Sequence, residues 1–441
     1  MKKIIVVGNG GRENAICYAL KKSPQNPRIY NFATSINPGI KALGAEILLT
    51  DSLNNFADLQ NFAEKIQPDL VIVGPENPIE DGISDFLKKL EIPCFAPSQK
   101  NVQLESSKSF TRNLLKKYKI DASPDFFVSE DIEDTKSREN FYQKFDGQIV
   151  VKADGLLGGK GVLVAGKHFN DFETAENFAK KSIEKFGKVV LEEKLIGPEF
   201  SVISIVDGET VLDTQAIQDN KLAGIDDTGP QTGGMGTISD ENLSLPFIDE
   251  NDLAKAREIT VQTMQAIEKE TGEKYVGVMY GGFIKTKNGV KLIEYNARFG
   301  DPEALNILPM LKTDFVEVCE KAVQGKLREI SKLEFQRKAT VLKYLCAKGY
   351  PTAPEKGAEL NLPKNWDEDT AKVFFAGVKE EDGKYILSGG RAIAVLGIGK
   401  NLAEANENCE AKIREFSLDY LFYRSDIGTK KLIEKRMNIL E

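Results

Sequence analysis

The sequence predicts a multidomain α/β and α+β chain: an open parallel α/β sheet at the N-terminus, a central α+β region containing a small lobe, and a C-terminal α+β domain. Three observations carry that prediction. The chain has 441 residues, room for two to four packed domains at roughly 100 to 200 residues each. Its first hundred residues alternate short β-branched runs with helically spaced segments, as a parallel sheet with crossover helices requires. Beyond Pro124 the pattern changes to strands joined through Gly-rich loops and long helices. The domains are expected at 1–102, 103–330 with a lid-sized unit at about 125–195, and 331–441.

In order, strands are predicted at Ile4 to Gly8, Arg28 to Phe32, Glu46 to Leu49, Leu70 to Gly74 and Cys94 to Ala96. Helical spacing falls between them at Glu13 to Lys22, Phe56 to Ile66 and Ile83 to Leu90. The turns Gly8 to Gly11 and Gly74 to Asn77 follow strands, so both belong on the carboxyl rim of the sheet, where ligands of open α/β sheets bind. From Gln103 to Phe127 one helix is expected, broken at Pro124. Strands follow at Gln148 to Lys152, Val162 to Ala165 and Val189 to Glu192, with a helix ending near Phe186. Further strands are Ser201 to Val206, Val278 to Ile284 and Lys291 to Tyr295, with a long helix at about Asp252 to Thr271. The tail predicts strands at Ala339 to Cys346 and Arg391 to Ile398 and a helix near Leu402 to Phe416.

Composition excludes several functions. A net charge of −8 disfavours a general binder of nucleic acid or membrane surfaces, which needs a basic face. One histidine, His168, rules out paired-histidine metal or catalytic chemistry; it is expected at the surface. Five scattered cysteines without a CxxC pair suggest neither a zinc ribbon nor a disulfide framework. The apolar stretch Ile4 to Val7 is too short for a secretory core, and a cytoplasmic location is expected.

Five segments could carry chemistry. GNGGREN lies between a strand and a helix, where free N–H groups favour a phosphate. Glu13 stands where a dinucleotide fingerprint needs its third glycine, and no acidic residue ends the second strand. Phosphate binding without NAD is preferred over a turn needed only for packing. VVKADGLLGGKGV, Val150 to Val162, sets Lys152 and Lys160 beside glycines that let backbone approach triphosphate oxygens; the alternative is a plain hairpin tip. VVLEEKLIGPEFSV, Val189 to Val202, could offer backbone to an adenine edge and a carboxylate to ribose, although solvated glutamates are the ordinary reading. KLIEYNARFGDPE, Lys291 to Glu303, puts Glu294, Asn296 and Arg298 on one strand face, two hard oxygen donors beside a cation suited to phosphoryl transfer. IQDNKLAGIDDTGPQTGGMG, Ile217 to Gly236, is a long Gly-rich loop with Asp219, Lys221, Asp226 and Asp227, of a length that is usually functional or disordered.

Together with ESSKSF, Glu105 to Phe110, and FYRSDIG, Phe422 to Gly428, these segments in this order resemble the ATP-grasp superfamily. Within it they resemble the glycinamide ribonucleotide synthetase family over nearly the whole chain. The resemblance implies a central two-lobed ATP-grasp domain with a mobile lid, and ADP-forming ligation of glycine to 5-phosphoribosylamine through a glycyl phosphate, in purine biosynthesis. It implies ATP and Mg²⁺ or Mn²⁺ as cofactors, small-molecule partners only, and a monomer. Lys108 and Lys152 would hold phosphates, with Leu157, Gly158, Gly159 and Lys160 as the lid loop. Glu192, Glu193 and Leu195 would meet the adenine and Glu199 the ribose. Glu294 and Asn296 would hold the metal. Arg298, Lys221 and Asp219 would be catalytic, with glycine near Asp219 and Gly233, Gly234 and Met235. The amine substrate would lie against Asn9, Gly10, Gly11, Glu76 and Asp301.

Asn14, Asn220 and Leu305 depart from the family's usual residues, and an asparagine at 14 or 220 cannot titrate. A nicotinamide dehydrogenase would need the complete fingerprint. An ATP-grasp ligase with another acceptor would lack GNGGRE and RFGDPE. A non-catalytic nucleotide-binding protein would be expected to lose Glu294, Asn296 or Lys152.

Overall fold

The structure is a computed structural model that describes residues 1–157 and 161–440. The first sheet has five parallel strands in the spatial order Glu46–Leu49, Arg28–Ala33, Lys3–Val7, Leu70–Val73, Cys94–Phe95. Ile4 to Val7 are fully buried, because helices cover both faces of a parallel sheet and its strands therefore read as unbroken apolar runs. Strand order reverses between Lys3–Val7 and Leu70–Val73, and the turns after these two strands share the rim.

The helix Gly11–Lys21 begins on that rim. Gly10 N–H donates to Glu13 Oε2 at 2.6 Å and Arg12 N–H to Asp301 Oδ2 at 3.1 Å. Two of the N–H groups that the sequence assigned to a phosphate are thus taken by the chain's own carboxylates, whereas those of Gly11 and Glu13 make no hydrogen bond among the described residues. Glu13 also accounts for a neighbouring glycine: a Cβ on Gly74 would lie 2.0 Å from Glu13 Oε1.

The predicted helix from 103 to 127 is two helices, Gln103–Ser106 and Lys108–Lys117. Ser107 takes extended backbone between them and its hydroxyl accepts from Phe110 N–H, so ESSKSF contains an N-cap. Beyond it comes a small lobe with a four-stranded antiparallel sheet in the order Phe126–Ser129, Val189–Glu193, Ile149–Ala153, Val162–Val164. Its helices are Thr135–Lys144 and Phe172–Phe186. The strand Phe126–Ser129 and the helix Thr135–Lys144 were not predicted. This lobe has its own apolar cluster, including Ile149, Val151, Ala179 and Leu191.

A second antiparallel sheet runs Val211–Asp213, Glu199–Val206, Gly277–Thr286, Gly289–Asn296, backed by the helix Glu250–Thr271. Its register shifts where Gly282 faces Glu294 but Phe283 faces Leu292, leaving Ile293 as an extra residue. Such a bulge re-aims side chains and backbone at a site edge.

Residues 217 to 236 do not form the long loop expected. They contain the strands Gln218–Asp219, Leu222–Gly224 and Thr228–Gln231, and Gly236 opens another, Gly236–Ser239. Gln218–Asp219 and Gly236–Ser239 extend the C-terminal sheet, which continues through Ala339–Ala347, Arg391–Gly399 and Ala371–Phe375. Gly236 is needed for this pairing, since a Cβ there would lie 2.1 Å from the Leu342 carbonyl oxygen. One sheet thus ties the middle of the chain to its C-terminal part. No helix among the described residues is long and apolar enough to cross a membrane.

Candidate active site

A cleft of about 670 Å³ lies where these units meet, lined by residues from each of them, including Glu76, Lys152, Glu199, Glu294, Arg298 and Arg391. On the small-lobe side the strand Val189–Glu193 carries Glu192 inward, almost wholly buried. Arg112 grips it with Nε at 2.7 Å and Nη2 at 2.9 Å, and Lys152 Nζ lies 2.7 Å from Oε2. The bulged Ile293 carbonyl accepts from the same two cations, at 2.8 Å from Arg112 Nη2 and 3.1 Å from Lys152 Nζ. Burial opposes ionisation of Glu192, but Arg112 and Lys152 outweigh it and hold its pKa down to about 2. Burial lowers the pKa of Lys152, with Glu192 acting against it.

Lys108, first residue of its helix, donates to the Gly155 carbonyl at 3.0 Å. Asp154 is tied to the same helix start by Ser109 N–H at 2.9 Å and Ser109 Oγ at 2.6 Å. This joins the Gly-rich loop to ESSKSF. Leu157 lines the cleft, whereas Gly158, Gly159 and Lys160 lie outside the described residues. Glu193 and Leu195 line it too. The Leu195 N–H makes no hydrogen bond among the described residues, whereas Glu193 and Lys194 N–H bond to Asp125 and Gln148 carbonyls.

On the facing strand Gly289–Asn296, half-buried Glu294 and Asn296 alternate with buried Tyr295, as the spacing predicts. No ion pair or hydrogen bond among the described residues engages the Glu294 carboxylate. Burial raises its pKa, but Lys221, Lys152, Lys108 and Arg298 together bring it below the ordinary value. Asn296 Oδ1 has only a 3.4 Å contact from Arg298 Nη2. An ionised carboxylate without a protein partner beside a lightly engaged amide oxygen suits a hard divalent cation. Among the described residues no group of three or more acidic, His or Cys side chains is placed to hold a metal, so further ligands must come from phosphate oxygens and water.

Arg298 links the units. Its Nη2 pairs with buried Glu105 at 2.9 Å and its Nε lies 3.3 Å from Glu76 Oε2. Arg12 Nη2 approaches the same Glu76 oxygen at 3.7 Å. Against burial, Arg298 and Arg12 lower the Glu76 pKa to about 2. Lys221 is held above the ordinary lysine value: burial works against the ammonium, but Glu199, Glu294, Asp219 and Glu303 prevail. Asp219 and Glu303 show the opposite effect. Burial raises both, and the nearby Glu303 charge adds to it at Asp219.

Other predicted residues face elsewhere. Met235 is fully buried, with its sulfur 3.7 Å from Cys346 Sγ, so its side chain packs the core and is corrected from a substrate contact. Gly11 and Gly234 are close-packing positions: a Cβ would meet the Tyr344 hydroxyl at 2.6 Å and Pro302 Cδ at 2.5 Å, respectively. Asn9 is turned to Ser35 and Thr34, while Gly10 and Gly233 line the cleft. Asp301 receives Tyr344 OH at 2.7 Å and Arg12 N–H at 3.1 Å. Asn14 and Asn220 are structural: Asn14 Oδ1 accepts from Phe375 N–H at 2.9 Å, and Asn220 Nδ2 donates to the Gly236 carbonyl at 3.2 Å. Leu305 is fully buried. His168 is partly buried, its Nδ1 accepting from Val164 N–H.

Sequence reasoning missed Arg12, Glu105, Arg112 and Arg391. The first two stood within quoted motifs. Arg391 had no local signal; it donates to the Gly233 carbonyl at 2.7 Å and the Asp301 carbonyl at 2.6 Å.

Family models for the phosphoribosylglycinamide synthetase N domain, ATP-grasp (A) domain and C domain match residues 2–105, 106–304 and 340–430. A phosphoribosylamine–glycine ligase of Methanococcus maripaludis is 43% identical over 445 aligned residues, spanning 99% of this chain and 98% of the relative. The chain belongs to the phosphoribosylglycinamide synthetase family. A solved family structure, the phosphoribosylamine–glycine ligase of Thermotoga maritima, superposes with a TM-score of 0.80 at 30% identity, covering 96% of this chain and 99% of that one. A biotin carboxylase from Campylobacter jejuni shares the fold, with a TM-score of 0.74 at 15% identity over 99% and 98% of the two chains. The ATP-grasp fold of this family implies binding of ATP and a divalent cation.

Proposed function

We propose that this chain joins glycine to 5-phosphoribosylamine at the expense of ATP, giving glycinamide ribonucleotide, ADP and phosphate. The observation that carries this reading is the cleft in which Arg298 spans Glu105 and Glu76. It brings the strand end that bears Glu294 and Asn296 against the rim of the N-terminal sheet, which supports a shared site for nucleotide and acceptor.

Lys108 and Lys152 are the phosphate-binding cations, Leu195 presents backbone to the adenine and Glu199 accepts from the ribose. Glu294 and Asn296 hold Mg²⁺ or Mn²⁺, which when bound offsets phosphate charge. Arg298 steadies the transferring phosphoryl group, and Glu76 and Glu105 fix its guanidinium. Lys221 attracts the glycine carboxylate and Asp219 lies at its ammonium end. The amine substrate occupies the side of Gly10 and Glu76.

A glycine carboxylate oxygen attacks the γ-phosphorus; an O–P bond forms, the bond to the β,γ-bridging oxygen breaks and ADP leaves. The amine nitrogen then bonds to the acyl carbon, the C–O bond breaks, phosphate departs with the glycine oxygen, and the nitrogen loses a proton. An acyl phosphate hydrolyses readily, so the small lobe must exclude water over the cleft. The test is isotopic: glycine labelled with ¹⁸O in its carboxylate must deliver label to inorganic phosphate. Unlabelled phosphate during net ligation would remove the acyl phosphate from the scheme.

A further inference from the structure

The helix Lys430–Met437 and the turn Asn438–Leu440 run on from the end of the C-domain match at residue 430, and the reaction above assigns them nothing. Yet Arg436 and Ile439 line the same cleft as Lys167, Leu195 and Glu199. The tail is firmly attached there. Fully buried Arg424 forks onto Asp426 at 2.9 and 2.6 Å and reaches Asp227 Oδ1 at 3.0 Å. Asp227 Oδ2 receives Arg436 Nη2 at 2.6 Å and Lys435 Nζ at 3.2 Å. Lys431 Nζ pairs with Asp226 at 2.8 Å. The turn between Leu222–Gly224 and Thr228–Gln231 is thereby clamped to the tail, in which Leu432 is buried.

The clamp leaves cations in excess of carboxylates: Arg424, Lys431, Lys435 and Arg436 meet Asp226, Asp227 and Asp426. Arg436, with a side chain only 14% exposed, is a guanidinium pinned by Asp227 that also lines the cleft, as does apolar Ile439. Their location within the cleft follows from their neighbours. The hairpin that carries Asp227, the partner of Arg436, leaves directly from Lys221, whose Nζ lies 3.8 Å from Glu199 Oε2, which sets it at the Glu199 end. The phosphate end is marked by Lys108 at the Gly155 carbonyl and Lys152 at the Ile293 carbonyl.

We infer that the C-terminal tail forms a further wall of the nucleotide site, with Arg436 donating to, and Ile439 packing on, the nucleoside half of ATP. This rests on the ATP reading above. A donor already fixed by Asp227 loses little freedom on binding, so its contact adds to affinity.

The experiment is equilibrium binding of ATP, ADP and AMP to the full chain and to R436A and I439A, with thermal unfolding of each protein. Loss of one charged hydrogen bond predicts roughly ten- to hundredfold weaker binding by R436A. The factor should be the same for all three nucleotides, I439A should show a smaller uniform loss, and KM for glycine should not change. Variants that bind all three like wild type overturn the inference and leave the ATP reading standing. A loss that grows from AMP to ATP also overturns it, by placing Arg436 at the phosphates. So does a loss confined to R436A together with a lowered unfolding temperature, which would make the arginine only a hairpin clamp. Wild-type protein that binds none of the nucleotides overturns the ATP reading itself.

Discussion

Replacing Glu192 by Gln removes one charge from a buried triad and leaves two cations, Arg112 and Lys152, without their counter-ion. Two routes give the cost. A carboxyl held at about 2 instead of its ordinary 4.5 corresponds to about 3 kcal/mol of folded-state stabilisation, at 1.36 kcal/mol per pKa unit. Breaking a buried ion pair by removing one partner costs roughly 3–5 kcal/mol, so the two agree. The folded pKa is depressed, so this contribution is complete above the ordinary carboxyl value and fades as pH falls toward 2. Urea unfolding at pH 7 should show E192Q less stable by about 3 kcal/mol, with the gap to wild type narrowing below pH 4.5. Function should change as well. Burial already lowers the Lys152 pKa, and without Glu192 it falls further, so ATP affinity in E192Q should improve as pH is lowered through the lysine's new pKa. An E192Q protein within about 0.5 kcal/mol of wild type, with unchanged ATP affinity, would refute the view that this triad sets the charge of the phosphate-binding lysine.

Three further predictions concern separate parts of the site. N14A removes the acceptor for the buried Phe375 N–H and should destabilise the protein by about 1–3 kcal/mol without changing any substrate KM; thermal unfolding and initial-rate kinetics check both. M235L conserves volume in the core and should cost less than about 1.5 kcal/mol with an unaltered KM for glycine, whereas a raised glycine KM would return Met235 to the substrate site. E294A should abolish turnover at the Mg²⁺ concentration that saturates wild type while circular dichroism stays native, and near-normal rates with an unchanged Mg²⁺ dependence would remove Glu294 from the metal site.

The N-terminal sheet was legible because a parallel sheet buried on both faces writes its strands as continuous apolar runs, and its order then puts GNGG and GPEN on one rim. The face bearing Glu294, Asn296 and Arg298 was legible from the period of two alone, with buried Tyr295 and Ala297 between them. Other features left weaker marks. Ser107 splits two helices whose spacing runs on either side of it, and only its capping side chain signals the break. The strands within 217–239 are two to four residues long, too short for alternation to register, and the one that joins them to the larger sheet, Gly236–Ser239, finds its partner a hundred residues further on. The same distance hides Arg391, which joins Asp301 only through the fold. At the N-terminal turn the motif was read for its free N–H groups, but Glu13 and Asp301 take those of Gly10 and Arg12, because a carboxylate from the chain itself satisfies a helix terminus as well as a phosphate does.

The central claim is that one cleft couples ATP cleavage to two further substrates. The most direct measurement is ADP release by the purified chain with ATP and Mg²⁺, supplying glycine and freshly generated phosphoribosylamine singly and together. The account predicts sustained ADP formation only when both are present, in equal amount to glycinamide ribonucleotide. Sustained ADP release with glycine alone, or ligation of another acceptor in preference to phosphoribosylamine, would contradict it.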